Sequence, residues 1–365
     1  MIYSVIKYIY NYFTVSDYSL KINYKKYNNI LEYLPTNITK TLTDEENPLF
    51  QSIKEFCIKE NTNKFVVSLS GGVDSMVLIY IIIKLGYEVI AIHINYNNRD
   101  ETTLEQTFLE EWCKFNNVKL YVKSIENQKR NNTKRSTYEV ETKNIRFDFY
   151  KEVLSAENLD STILIAHHKD DIVENIFANV CRGRYILDLS VIKDRSNLND
   201  VTIVRPMIEY YKSSIDEYAH DNQIPYFKDT TPNWSIRGKY RKNIYPLLED
   251  AFSSNIKKNL LSLSEQSHEW NDLVMSEIVQ PFLDKINMYT TYCTFNVEHY
   301  LNKPLCFWTI IIMKIFHHYG KKCPSRRGIQ TFMNSIKENR VLRASISDKC
   351  CCMIRNYNIR MTFKV

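Results

Sequence analysis

The chain has 365 residues, of which 44% are hydrophobic and 25% charged. This is the composition of a soluble globular protein with room for two or three cores, and it excludes collagen-like and intrinsically disordered classes. The net charge of +6 is compatible with a polyanionic partner without requiring one. The nine cysteines include no C-x-x-C pair, which excludes the usual zinc and iron–sulfur spacings. Their odd number, with no signal peptide, points to a reducing, cytoplasmic compartment.

Residues 1 to about 45 show no clear period and read as an N-terminal extension; their opening, MIYSVIKYIYNYFTV, is too short and interrupted to span a membrane. A helix is predicted over about Pro48–Lys59. From Phe65 onward strand-like and helix-like stretches alternate. Strand Phe65–Leu69 precedes a helix over about Asp74–Leu85, and strand Glu88–Ile94 precedes a helix through LEQTFLEEWCKF. VKLYVKSI reads as a third strand, followed by a basic loop and a helix through YEVETKNIRFDFYKEVL. STILIAHH is a fourth strand, KDDIVENIFANVCRG a helix and VTIVRPM a fifth strand. This repeat predicts an α/β fold over 46–248, a Rossmann-like parallel sheet with helices on both faces. Amphipathic helices over 249–290 form a helical segment. Residues 291–365 read as a small α+β C-terminal domain, with an apolar helix, LCFWTIIIMKIFHHY, and a terminal hairpin of KCCCMIR and NIRMTFKV.

The chain holds only 7 glycines, yet Gly71 and Gly72 are adjacent in SGGVDS, between the first strand of the repeat and its helix. In a doubly wound sheet, ligands bind beyond the carboxyl ends of the strands. Unpaired amides and the helix dipole favour an anion there, and glycines let it approach closely. Ser70, Gly71, Gly72, Val73, Asp74 and Ser75 are therefore candidate phosphate-binding residues. Asp74 beside a phosphate calls for a metal ion or a capping role. The pattern is neither a Walker loop nor G-x-G-x-x-G. SGGVDS resembles the signature of the PP-loop ATP pyrophosphatase family, which implies ATP and Mg²⁺.

A second constellation, IAHHKDDIVENIFANVCRG, begins at the end of the fourth strand and so belongs on the same rim. Asp171 and Glu174 are three residues apart and share a helix face, which suits a metal ion or an ammonium group; on the helix alone, a solvated acidic first turn would be the simpler account. A-H-H-x-D-D-x-x-E with a following R-G resembles the tRNA(Ile)-lysidine synthases within that family. HINYNNR, EVETKNIRF, VRPM and DTTPNWSIRGKYRKNIYP resemble further segments in the same order. Tyr96, Lys143, Asn175 and Gly238 depart from the family pattern. The resemblance is strong over about 62–248, weaker to the end and absent over the first 45 residues.

The resemblance implies that the wobble cytidine of a CAU-anticodon tRNA(Ile) attacks the α-phosphate of ATP, and that free L-lysine then displaces AMP. It places ATP on Ser70–Ser75 and His93, with Arg99 close by, and gives Asp74 to the metal. Asp74, His168, Asp171 and Glu174 would be catalytic. Asp171, Glu174, Arg146, Arg182, Arg205, Arg237 and Arg241 would contact lysine or tRNA, and Asp229 and Asn233 fall in a matched segment. The basic loop Lys129–Arg135 and the patch KKCPSRRG (Lys321–Gly328) could grip phosphates, although charge runs are usually only solvated. A homodimer is implied by the resemblance alone. Three rival readings are a sulfur-transferring PP-loop tRNA modifier, an amidotransferase-like ligase with an ammonia supply, for which no glutaminase-like segment is present, and a degenerate PP-loop protein that binds RNA or nucleotide without catalysis.

Overall fold

The computed structural model describes residues 22–33, 44–97, 101–125, 135–159, 162–187, 189, 192–229, 231, 235–253, 255–338 and 342–364. The chain divides into two compact units, one of Met1–Arg184 with Leu189–Ser264 and one of Tyr185–Asp188 with Glu265–Val365.

In the first unit the elements are β1 (Leu31–Tyr33), α1 (Pro48–Glu60), β2 (Lys64–Ser68), α2 (Val73–Lys84), β3 (Glu88–Asn95), α3 (Thr102–Phe115), β4 (Lys119–Ser124) and α4 (Arg135–Ala156). They continue with β5 (Thr162–Leu164), α5 (Lys169–Cys181), β6 (Arg195–Leu198), β7 (Val201–Val204), α6 (Lys212–Asp221) and β8 (Tyr226–Phe227). Helices α7 (Ile236–Lys239) and α8 (Tyr245–Phe252) are joined by a π turn, Tyr240–Ile244, and α9 (Ile256–Val274) follows, its residues up to Ser264 belonging to this unit and the rest to the second.

The six-stranded sheet has the order β4-β3-β2-β5-β7-β6. Successive strands run outward from β2 through β3 to β4, and the chain then returns to β2's other side as β5. The order therefore reverses between β2 and β5, where Val67 pairs with Leu164 in parallel. A crevice opens at such a switch point beyond the strand ends, and both sequence motifs leave from these two strands.

Alternation along the strands builds a core on each face. Phe65, Val67, Val89 and Ala91 face the cluster that holds α2 and α3, while Val66, Ile90 and Ile92 face the cluster with Phe147, Tyr150 and Val153 of α4. Helix α2 buries Met76, Val77, Leu78, Ile79, Ile81 and Ile82, as an almost wholly apolar helix must. Asn47 caps α1 through Oδ1, which accepts from the Leu49 and Phe50 amides at 3.0 and 3.2 Å.

Two features differ from the sequence reading. The sheet is not wholly parallel: β6 forms an antiparallel edge hairpin with β7. Asn199 and Asp200 close it with positive φ of 52° and 61°, the geometry of a primed hairpin turn. The segment RSNL is too polar to read as a strand, so an edge position, not burial, decides it. The N-terminal stretch is also more than an extension. Strand β1 pairs antiparallel with β8, and Tyr27, Ile30 and Leu31 are buried in the main core.

The second unit contains α10 (Gln280–Leu283), β9 (Asn287–Met288), β10 (Tyr292–Asn296), α11 (Leu305–His318), α12 (Arg326–Glu338), β11 (Leu342–Ser347), β12 (Cys350–Arg355) and β13 (Asn358–Phe363). Its sheet, β11-β12-β13-β10-β9, is antiparallel. The terminal hairpin is present as β12–β13, with Cys350, Cys352 and Ile354 facing a core built on Trp308, Phe282, Phe316 and Phe332. The apolar helix is α11, and it is core. The KKCPSRRG patch leads into α12, with Arg326 and Arg327 exposed in its first turn.

Candidate active site

The SGGVDS turn joins β2 to α2. Gly71 adopts φ +83°, which disfavours any side chain, and a Cβ there would lie 2.0 Å from the Phe227 ring. Gly72 caps α2 with an ordinary φ of −69°. Among the described residues a Cβ on Gly72 would meet only Ser70 Oγ, at 3.6 Å, so packing against them does not require glycine there. Ser75 Oγ gathers the turn: it accepts from the Ser70 and Gly71 amides at 3.2 and 3.1 Å and donates to the Gly72 carbonyl at 3.0 Å. The first intrahelical bond runs from the Met76 amide to the Gly72 carbonyl. The amides of Val73, Asp74 and Ser75 precede it and are the donors a helix N-terminus offers an anion.

Across the switch point, α5 opens with His168 as its N-cap. The His168 amide donates to Asp171 Oδ2 at 3.2 Å. The buried imidazole lies among three carboxylates, with Nε2 3.6 Å from Asp74 Oδ1 and 3.5 Å from Asp171 Oδ2, and Nδ1 3.7 Å from Asp170 Oδ2. Burial opposes its charge, yet these carboxylates outweigh burial and raise its pKa. Its neighbour His167 goes the other way. Burial lowers it to about 4, and its Nδ1 accepts from Arg205 Nε at 3.0 Å, so it is neutral with its proton on Nε2.

Asp171 and Glu174 are both buried on one face of α5 and meet two arginines of the α7–π segment. Arg241 Nε donates to Glu174 Oε1, and its second arm lies 3.4 Å from Asp171 Oδ1. Arg237 stands 3.7 Å from Asp171 Oδ1 and 3.4 Å from Glu174 Oε2. That last contact lacks hydrogen-bond alignment, so among the described residues Glu174 Oε2 is a buried acceptor still short of a donor. Burial pushes the Glu174 pKa up despite Arg241. Asp171 is held below the ordinary range: burial acts against its charge, but His168, His167 and Arg237 outweigh it.

Two lysines that sequence reasoning missed complete the network. Lys212 Nζ lies 2.6 Å from Asp74 Oδ1, and its amide donates to Asp170 Oδ2 at 2.8 Å. Lys257 donates to Asp170 Oδ1. No local pattern marks either residue; only the return of α6 and α9 to the rim brings them in.

The network unites Asp74, His168, Asp171, Glu174, Arg237 and Arg241. The other expected site residues lie apart from it or have internal work. His93 Nδ1 donates to the Leu69 carbonyl at 2.9 Å, so it braces the strand end behind the turn. Arg205 is buried; besides His167 it bonds the Lys193 carbonyl at 2.6 Å, just before β6, and Ser196 Oγ of β6 at 2.9 Å. Arg146 lies on α4 over the Phe147 ring, its Nε buried without a partner among the described residues. Arg182 is exposed at the far end of α5, about 16 Å along the axis from Asp171. Asp229 Oδ1 accepts from the Thr231 amide at 2.9 Å. Arg99, Asn233 and the basic loop Lys129–Arg135, apart from Arg135 at the start of α4, lie outside the described residues.

Sulfur transfer would need a thiolate. Burial pushes Cys57 and Cys113, the buried thiols of this unit, up to about 12, and Cys181 is exposed at the far end of α5. Among the described residues no group of three or more His, Cys, Asp or Glu side chains could hold a metal ion, and no helix is long and apolar enough to cross a membrane.

Comparison with known proteins identifies relatives of this chain. The tRNA(Ile)-lysidine synthase of Chlamydia felis is 28% identical over 284 residues, covering 77% of this chain and 87% of its own. That of Mesoplasma florum is 34% identical over 200 residues, 54% of this chain and 49% of its own. That of Clostridium perfringens is 28% identical over 277 residues, 74% of this chain and 58% of its own. The PP-loop domain family profile matches residues 45–248, more than half of the 365 residues, and the chain accordingly belongs to the PP-loop family of ATP-binding proteins.

Proposed function

We propose that the protein modifies the wobble cytidine of a CAU-anticodon tRNA(Ile), adenylating it with ATP and ligating free L-lysine to form lysidine, with release of pyrophosphate and AMP. The observation that carries this reading is the carboxylate pair Asp171–Glu174, buried beside the SGGVDS turn, with Glu174 Oε2 short of a donor. An amine substrate supplies that donor. The relatives named tRNA(Ile)-lysidine synthase support the same substrate class.

In this reading the amides of the turn and the α2 dipole hold the leaving pyrophosphate, where developing charge is stabilised without reorganisation. Mg²⁺ is ordinarily held by one or two carboxylates plus phosphate oxygens. Asp74, part-exposed at the rim and bonded to the Lys212 ammonium, fits such a ligand set; the ion would neutralise phosphate charge. Asp171 and Glu174 hold the lysine ammonium. Arg237, 56% exposed, is the cation best able to swing aside for it. Glu174, its pKa raised by burial, is the better proton acceptor of the two when the amine attacks. We adopt the cytoplasm as the compartment, since it holds tRNA, ATP and free lysine.

The test is incubation with Mg²⁺, α-labelled ATP, labelled lysine and a CAU-anticodon tRNA(Ile) transcript. AMP release together with lysine label retained in the RNA is expected. AMP without lysine transfer would refute the ligation step, and no AMP at all would leave a nucleotide or RNA binder.

A further inference from the structure

The stretch before residue 45 lies outside the PP-loop match, yet part of it reaches the nucleotide turn through one side chain. The Phe227 ring rests on Gly71 so closely that a Cβ at residue 71 would stand 2.0 Å from Cε2. The Phe227 amide donates to the Gly71 carbonyl at 2.9 Å. Phe227 is thus clamped to the one peptide of the turn that needs positive φ, from both backbone and ring.

Phe227 is in turn held from behind. It pairs with Leu31 of β1, and the Lys228 amide donates to the Ile30 carbonyl at 2.9 Å. Its ring meets Phe108 edge-on at 5.6 Å, and Phe108 meets Tyr27 edge-on at 5.1 Å. Tyr27 is fully buried. A continuous line of packed groups therefore runs from Tyr27 and Leu31 through Phe227 to Gly71. Close-packed interiors transmit displacement along such lines.

We propose that Tyr24–Tyr33 is a built-in brace for the nucleotide turn, with Phe227 as the positioning residue through which it acts. Withdrawing the brace lets the Gly71 peptide relax, and the amides lose their common aim at the pyrophosphate end of ATP. The base and ribose have no part in this line, so the loss is confined to ligands that carry the pyrophosphate group. This inference rests on the reading of SGGVDS as the ATP turn.

The experiment measures binding of a non-hydrolysable ATP analogue and of AMP by calorimetry to the full chain, without tRNA or lysine. The variants are Phe227→Leu, Tyr27→Leu and the conservative Tyr27→Phe. Phe227→Leu and Tyr27→Leu are expected to weaken the ATP analogue by about tenfold and AMP by less than about twofold. Tyr27→Phe, which keeps the ring, is expected to match the wild type. Circular dichroism selects the variants that fold, and Phe227→Leu at a buried but not central site keeps the test open if Tyr27→Leu does not fold. Unchanged ATP-analogue affinity in folded variants overturns the brace, and so does a parallel loss of ATP analogue and AMP. A wild type that binds the two ligands equally overturns the reading of the turn itself, a failure distinct from the others.

Discussion

Replacing Glu174 by Gln keeps the shape of the side chain and removes its charge. Glu174 Oε1 accepts from Arg241 Nε, while Oε2 is buried and lacks a hydrogen-bond donor among the described residues. Arg241 stays charged, so its bond to the Gln carbonyl remains within the about 1.5–3 kcal/mol range of hydrogen bonds to charged groups and moves toward its lower end, a loss of roughly 1 kcal/mol. The cost of burying a carboxylate, which raises the Glu174 pKa, disappears at the same time and offsets that loss. Stability should therefore move by less than about 1 kcal/mol in either direction. Binding of the substrate ammonium has no such offset. Losing one charge-assisted bond of about 1.5–3 kcal/mol raises the KM for lysine by roughly 10- to 150-fold. The assay is lysine-dependent AMP release and label transfer at saturating tRNA, with the ATP dissociation constant measured separately. A lysine KM unchanged in a folded variant would refute the assignment, and an equal loss of ATP and lysine affinity would show that Glu174 supports the site as a whole.

Three further outcomes are expected. Deletion of residues 1–33 removes Tyr27, Ile30 and Leu31 from the main core; at about 1.5–3 kcal/mol for each buried side chain the loss is roughly 5–9 kcal/mol, to be read as a fall in thermal midpoint or as insolubility. The two adjacent histidines should show opposite pH linkage in the ligand-free protein. His167, lowered to about 4 from 6.5, takes up its proton first in the unfolded chain, so its contribution to stability is lost as pH falls from 6.5 toward 4. His168, raised above 6.5, contributes stability that is fully present below 6.5 and lost as pH rises through its folded value. Urea midpoints at about pH 5 and about pH 8 should therefore shift in opposite senses for His167→Gln and His168→Gln; equal shifts would refute the assignment. Lys212→Gln removes the ammonium 2.6 Å from Asp74. Because Lys212 is one-third exposed, the expected effect is discounted to about a tenfold weaker ATP affinity, measured by calorimetry in Mg²⁺.

The βα repeat was readable because its strands are short apolar runs and its helices carry their period in plain view. Where burial does not mark a strand, the reading failed. RSNL is polar and joins the sheet only because β7 offers an edge. Leu31–Tyr33 is too short to declare itself and exists because Tyr226 and Phe227 pair with it. The same division runs through the site. Asp171 and Glu174 share a face by helical spacing alone, and SGGVDS is marked by paired glycines in a chain that has few. Arg237 and Arg241 are visible in the sequence as an i, i+4 pair expected to contact lysine or tRNA, but that they lie against the carboxylates of α5 is not.

The sequence by itself determined the local chemistry: a turn shaped for an anion, two acidic residues on one helix face, and apolar strands that demand helices on both sides. These follow from backbone conformation and periodicity, which act over a few residues. Tertiary structure alone decided which cations meet those acids, that Lys212 stands on Asp74 across 138 residues of chain, and that Phe227 locks Gly71. A lysine or a phenylalanine has the same local preferences wherever the fold delivers it. Its partner is set by how the strands cross over the sheet, and that is a property of the whole chain.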